Sequence, residues 1–320
     1  MSGRGLVQRP LADLYFNEGH QAGRAELLHV VVDGATLRKY CRALEDFLDW
    51  AGTWSEAAID GQLAEYFSFL CFTKQVKAHV AGTTLAAVLH FMPAFKGKFA
   101  AAARALRAFH ALVRSKERPP FSRRTVGALV RAMLLAGERE AAFMTLCIFA
   151  FFGRGGEWSI LRLEDVATGR GRVTVTFGKA ERGEKAKTGF DQGAEVREPA
   201  AVEWMTARKR AWTAAGKDGS DRFFTLTPQE YRTIFKNTCA VLGLPEDTPH
   251  VLRHTAATEL FATGSVDIAG LKLAGRWARE SSVKRYTKPH LILVHEATVS
   301  AEVLRLGDQF WAAPMGFIGQ

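Results

Sequence analysis

From Thr36 the chain sets apolar residues at helical spacing against charged ones. Leu37, Tyr40, Leu44, Phe47 and Leu48 recur together, Arg38, Lys39 and Arg42 fall elsewhere, and Gly52 is a natural stop. The same periodicity predicts helices over 60–72, 83–92 and 99–114, separated by Gly or Pro. In the last of these, Ala102, Leu106, Phe109 and Val113 form an apolar stripe, while Arg104, Arg107 and Arg114 lie on another face. Residues 1–25 have no clear periodicity and read as a flexible N-terminal arm. Ser115 to Pro120 has no helical pattern either, and its two prolines stiffen it as an extended linker, which puts a domain boundary between 118 and 119.

The second half mixes periods. Arg123 to Ala136 and Glu138 to Phe152 read as helices, Arg172 to Phe177 alternates as a strand, and Gly193 to Arg197 is its candidate antiparallel partner across a polar loop. Helices follow near 200–214, 227–242, 249–263, 266–274 and 280–287. In the tail, Leu293, Ala297, Ala301 and Leu304 keep helical spacing within a segment from Leu291 to Leu306.

Composition narrows the function classes. With 48% hydrophobic and 24% charged residues the chain reads as an ordinary soluble globular protein. The longest apolar run, Ala141 to Phe152, is too short to cross a bilayer, and Met1 to Pro10 lacks the apolar core of a secretory signal. Cys41, Cys71, Cys147 and Cys239 are far apart and offer no metal-ligand spacing, so they read as buried free thiols of a reducing interior, cytoplasmic or nuclear. A net charge of +10 favours a polyanionic partner. From Lys96 to Arg124 there are nine Lys or Arg and one acid, Glu117, a composition suited to tracking phosphates.

The remaining chemistry is clustered late in the chain. Breaking a phosphodiester without metal needs a nucleophile, cationic donors on the non-bridging oxygens, an acid for the leaving oxygen and a group that manages the nucleophile's proton. His250 and Arg253 stand three apart on a predicted helix and so project to one side. Arginine suits a phosphate because its planar fork binds two oxygens and stays charged, and histidine exchanges a proton near neutrality. Tyr286 lies among Lys284, Arg285 and Lys288, cations that favour a phenolate. Lys179, Lys185 and Lys187 lie between the two predicted strands. Trp277 by itself reads as a core aromatic whose indole N–H can donate but cannot shuttle a proton.

The string His250-Val251-Leu252-Arg253-His254-Thr255-Ala256-Ala257-Thr258 resembles the second conserved box of the tyrosine recombinase, or phage integrase, family. Phe152-Gly153-Arg154-Gly155-Gly156-Glu157-Trp158, leading to Leu161 and Asp165, is similar to the family's first box, with Phe152 where Thr or Ser is usual. In Ala274-Gly275-Arg276-Trp277 the tryptophan stands nine residues before Tyr286, the place of the third-box His, a substitution shared with the Cre-like members. Lys187-Thr188-Gly189, followed by Gln192-Gly193, is similar to a hairpin pattern of some members.

The resemblance implies a mainly α, two-domain clamp with the fold of DNA breaking-rejoining enzymes. A helical core-binding domain would span 26–118. A mostly helical catalytic domain with a small antiparallel β-sheet would span 119–320. It implies site-specific strand exchange through a 3′-phosphotyrosine, without metal or ATP, on double-stranded DNA, by a homotetramer on two DNA sites. The implied catalytic residues are Arg154, Lys187, His250, Arg253, Trp277 and Tyr286, with Lys179 as the alternative lysine. Glu157 and His254 would support them, and Arg104, Arg107 and Arg114 would contact DNA. The tail helix docks on a neighbouring protomer in related enzymes. Two other readings stay open: a type IB topoisomerase-like activity and a DNA-binding descendant without catalysis.

Overall fold

Leu44 and Phe47, from the first amphipathic stripe, are fully buried in a helix α1 over Gly34–Ala51. The structure, a computed structural model, describes residues 32, 34–113, 119–184, 189, 191–196 and 198–318. The expected arm over 1–25 lies outside the described residues, as do Arg114 and most of the expected linker. The chain divides into two compact units, Met1–Glu117 and Arg118–Gln320, each with its own apolar core.

Among its described residues the first unit is helical. After α1 come α2 (Ile59–Ser68), α3 (His79–Phe91) and α4 (Ala100–Leu112). The expected helix over 60–72 does not run through as one: it widens at Phe69–Thr73 into a π turn, with the Lys74 N–H bonded to the Phe69 carbonyl at 3.0 Å. Phe47, Leu63, Phe67, Ala81, Val88, Ala102 and Phe109 fill the core. Asp60 ties α2 to the start of α4, its carboxylate accepting the Ala101 and Ala102 N–H groups at 3.0 and 2.8 Å, where the helix dipole also favours a negative charge. Arg104 and Arg107 are exposed on the opposite face of α4. Cys41 and Cys71 are only half-buried, unlike the buried Cys147 and Cys239, because their helix faces lie at the margin of this small core.

The second unit surrounds a helical core with a small sheet. Helix α5 (Arg123–Leu135) starts at Ser122, whose hydroxyl accepts the Thr125 N–H at 3.2 Å. Helix α6 (Arg139–Ala150) is buried along nearly its whole length. A short α7 (Gly155–Trp158) follows. The sheet has three antiparallel strands in the order β1 (Val166–Gly169), β2 (Arg172–Phe177), β3 (Gln192–Val196). Its register pairs Val166 with Val175 and Val173 with Val196. The expected second strand is thus displaced by one residue, and β1 is an addition: four residues, three of them exposed, carry too little alternation to be read as a strand. Val173, Val175 and Phe177 bury one face of β2. Helices α8 (Pro199–Ala214), α9 (Pro228–Val241), α10 (His250–Ala262), α11 (Ile268–Ala274) and α12 (Glu280–Lys284) complete the body.

The tail is not one helix over 291–306. It breaks into α13 (Pro289–Glu296), α14 (Ala301–Ala312) and α15 (Met315–Ile318), with the Ser300 hydroxyl capping α14 by accepting the Val303 N–H at 3.3 Å. Leu293, counted into the same stripe as Leu304, is 70% exposed whereas Leu304 is buried. Helix α14 lies against α5 of its own chain. Trp311 donates to the Arg123 carbonyl at 2.7 Å, and Arg124 grips Asp308 with both Nε and Nη2, at 2.8 and 2.6 Å. No helix among the described residues is long and apolar enough to cross a membrane.

Candidate active site

The second unit alone assembles the residues singled out at its late motifs. Helix α10 presents His250 at its exposed start and Arg253 one turn further in, fully buried. The Arg253 guanidinium donates from Nη1 to the Phe152 carbonyl and from Nη2 to the Gly275 carbonyl. Its flat face lies over the Trp277 ring at 4.2 Å. The two carbonyls thus bring the first and third motifs onto the second. Phe152 turns its backbone at φ +52 where α6 ends. Gly275 is required for space, since a Cβ there would run into the Trp277 ring.

Tyr286 follows α12 and is held on several sides. Its N–H bonds the Val283 carbonyl at 2.7 Å, and Thr258 donates to its carbonyl. Its hydroxyl stands 3.0 Å from His250 Nε2. His254 stacks on the phenol ring, with centroids 3.9 Å apart and planes 22° from parallel, and Trp277 flanks it at 5.2 Å. Burial, then the nearby His250 and Arg253, pull the His254 pKa down to about 4, so its imidazole is neutral at pH 7. His254 therefore acts as a packed plate behind the phenol, and His250 is the group with access to its proton. Trp277 is 7% exposed and serves as the wall between Arg253 and Tyr286.

Arg154 begins α7, and the Glu157 carboxylate reaches back to it, accepting its backbone N–H at 3.1 Å and Nη1 at 2.6 Å. The same carboxylate accepts Nη2 of Arg276 at 2.8 Å. Burial pushes the Glu157 carboxyl up, but the charges of Arg276 and Arg154 and the hydrogen bonds they make outweigh it, and the group stays below its ordinary value. The Arg253 pKa is pulled down to about 9, by burial first and then by repulsion from Arg154 and Arg276. Three guanidiniums therefore face one carboxylate. An arrangement with surplus buried positive charge beside a phenol and an imidazole has the chemistry to hold a phosphate and to present it with a nucleophile.

The lysines are placed less fully. Lys187 and Lys185 lie outside the described residues. Lys179 ends the turn after β2 and pairs with Glu181 at 3.3 Å. Arg182, in the same connection, is gripped by Asp165 at 2.7 Å and Glu184 at 2.9 Å, which fixes the base of the β2–β3 loop. The reading of motifs missed Arg276 and Thr258. Arg276 had no signal beyond its place between Gly275 and Trp277. Thr258 stood at the end of the second motif without an assigned contact.

Residues 115–291 match the phage integrase family, and the chain belongs to that family. Among solved structures, the chain is similar to the XerH site-specific recombinase bound to a palindromic difH substrate in a post-cleavage complex. The TM-score is 0.60 at 16% identity, covering 81% of this chain and 78% of that one. It is also similar to the Tn1549 transposon integrase in complex with transposon right-end DNA, with a TM-score of 0.57 at 14% identity, covering 95% and 98% of the two chains. No curated protein matches the chain in sequence.

Proposed function

We propose that this phage integrase family member is a site-specific recombinase that cuts and rejoins double-stranded DNA through Tyr286. The observation that carries the assignment of the nucleophile is the 3.0 Å contact between the Tyr286 hydroxyl and His250 Nε2, beside the buried Arg253. In this reading Arg154 and Arg253 hold the non-bridging oxygens of a scissile phosphate. His250 takes the phenol proton as the oxygen–phosphorus bond forms, and a lysine of the β2–β3 loop, Lys187, gives a proton to the departing 5′ oxygen. The 3′-phosphotyrosine keeps the bond energy, so a 5′ hydroxyl of a partner strand attacks it and regenerates Tyr286 without ATP. Trp277 and His254 hold the phenol in line.

Two duplexes exchanging both strands present four scissile phosphates, and one tyrosine for each requires four protomers on two sites. The exposed Arg104 and Arg107 of α4 supply phosphate contacts that place the protein without reading sequence. A reaction on double-stranded DNA supports a location where DNA is kept, cytoplasmic or nuclear.

Covalent trapping tests the reading. Wild type and Tyr286→Phe are incubated with nicked, labelled duplexes from the DNA flanking the gene and run on denaturing gels. A protein–DNA adduct in wild type alone is expected. An adduct that persists in Tyr286→Phe would overturn the choice of nucleophile, and relaxation of supercoils by monomers irrespective of sequence would favour a topoisomerase.

A further inference from the structure

Arg276 combines two unfavourable conditions. It is 8% exposed, so its charge is largely desolvated, and its backbone stands at φ +55, a conformation that favours glycine. Its Nε and Nη1 are buried without a hydrogen-bond partner among the described residues. The contacts that offset this are two. The guanidinium lies over the Phe177 ring of β2 at 4.6 Å, and Nη2 binds Glu157 Oε2 at 2.8 Å. Glu157 is the residue that also holds Nη1 of Arg154 at 2.6 Å. Arg276 is thus wedged between the sheet and the carboxylate that orients the first arginine of the site.

We propose that Arg276 is a positioning residue for Arg154: by taking one oxygen of Glu157, it keeps that carboxylate from closing on both ends of the Arg154 fork. The inference rests on reading Arg154 as a phosphate-binding arginine. With Arg276 present, Glu157 spends its Oε1 on Arg154 Nη1, its Oε2 is shared between Arg276 Nη2 and the Arg154 backbone N–H, and the remaining donors of the Arg154 guanidinium are left for a phosphate. Without it, the carboxylate has Arg154 as its one remaining cation in this cluster, and Oε2, held otherwise only by the Arg154 backbone N–H, is drawn to the second end of the fork as well. Arg154 then stays charged but is turned from the phosphate, and the loss falls on the chemical step more than on DNA affinity, which many other phosphate contacts share.

The experiment compares full-length wild type, Arg276→Gly and Arg276→Lys. Glycine accepts φ +55, so folding is retained, and lysine restores one charged donor. The first readout is the ¹⁵N side-chain resonance of Arg154, assigned by its loss in Arg154→Lys and followed during titration with inorganic phosphate. The second is single-turnover cleavage of the nicked duplexes together with their binding affinity. In Arg276→Gly the Arg154 response to phosphate should weaken by about 10-fold, and cleavage should fall by about 100-fold with affinity changed less than about 3-fold. Arg276→Lys should recover part of both. A wild-type Arg154 response in Arg276→Gly overturns the proposal, as does a drop in melting temperature that accounts for the lost cleavage with no recovery in lysine. If wild type itself forms no adduct, the recombinase reading fails, and the phosphate titration still decides the role of Arg276.

Discussion

Gly307→Ala tests the docking of the tail, because two effects of known size oppose each other there. Alanine is the better helix residue and favours the folded state by about 1 kcal/mol in a helix interior. Gly307 is in the interior of α14, and its missing side chain is the space occupied by the carbonyl of Arg124 on α5. A Cβ would overlap backbone that cannot rotate away, so α14 must lift from α5. Overpacking of this kind costs about 1–3 kcal/mol and sometimes more. Lifting also strains the Trp311 bond to the Arg123 carbonyl at 2.7 Å and the stack of Arg123 on Trp311 at 3.7 Å, and it opens the seat of the fully buried Phe310. These lost contacts put the sum toward the upper end. Overlap wins over propensity, for a net loss of about 2 kcal/mol, or about 4–8 °C in melting temperature for a unit of this size.

The matched control is Gly82→Ala in α3, where a Cβ would meet nothing within 4 Å. There propensity acts alone, and a gain of about 0.5–1 kcal/mol is expected. Urea denaturation of both variants, with limited proteolysis of the tail, reads the contrast. A neutral or stabilising Gly307→Ala would mean that α14 does not rest on α5 of its own chain in solution, and the reasoning from overlap would fail.

Acid should weaken the protein through its buried imidazoles. His254 is lowered from 6.5 to about 4 by burial and its cationic neighbours, and His295 is lowered by burial. The unfolded chain binds a proton near pH 6.5 that the folded chain refuses until near pH 4. Stability therefore falls as pH drops through that window, by roughly 2 kcal/mol for His254 after allowing for its partial exposure. His254→Phe keeps the stacking and should flatten that limb of the urea midpoint against pH; an unchanged slope would remove His254 from the account. For the leaving-group acid, Lys187→Ala should slow cleavage by about 100-fold and regain the rate on a duplex whose 5′ bridging oxygen is replaced by sulfur, which leaves without a proton. The same rescue in Lys179→Ala instead would move the assignment to Lys179.

The sequence made the nearby parts of the site legible and left the distant ones hidden, for a physical reason. His250 and Arg253 share a helix, so spacing alone puts them together. Tyr286 and Trp277 are tied by a fixed separation in one motif. What joins these motifs is made by backbone and space: the Arg253 bonds to the Phe152 and Gly275 carbonyls, and the approach of Trp277 to Gly275. Carbonyls carry no side-chain signature, so such bonds cannot be read from residue types. Arg276 was hidden for the opposite reason. One more arginine in a basic chain is unremarked until its burial and its contact with Glu157 are known. In the fold, the strong helical stripes were legible, whereas β1 was too short and too exposed. The tail stripe misled because spacing continues across a break that only the Ser300 cap marks.

The site carries a surplus of buried positive charge, and the proposed mechanism gives that surplus a use. Arg253 is fully buried, spends both terminal nitrogens on neutral carbonyls, and is repelled by Arg154 and Arg276, with Glu157 the acid bound between those two. Neutral acceptors satisfy hydrogen bonds without cancelling charge, so the surplus persists. A phosphodiester placed ~4 Å from a guanidinium gains about 4 kcal/mol from it at an effective dielectric of ~20, before the cost of desolvating the phosphate. The growing negative charge of a pentacoordinate phosphorus gains more than the ground-state diester does. With Tyr286 as the proposed nucleophile, that difference would accelerate the chemical step, because it is realised only as the attack proceeds. In that proposal the folding cost of burying guanidiniums around one carboxylate is carried in advance of the reaction, and His254, neutral at pH 7, adds no further positive charge behind the phenol.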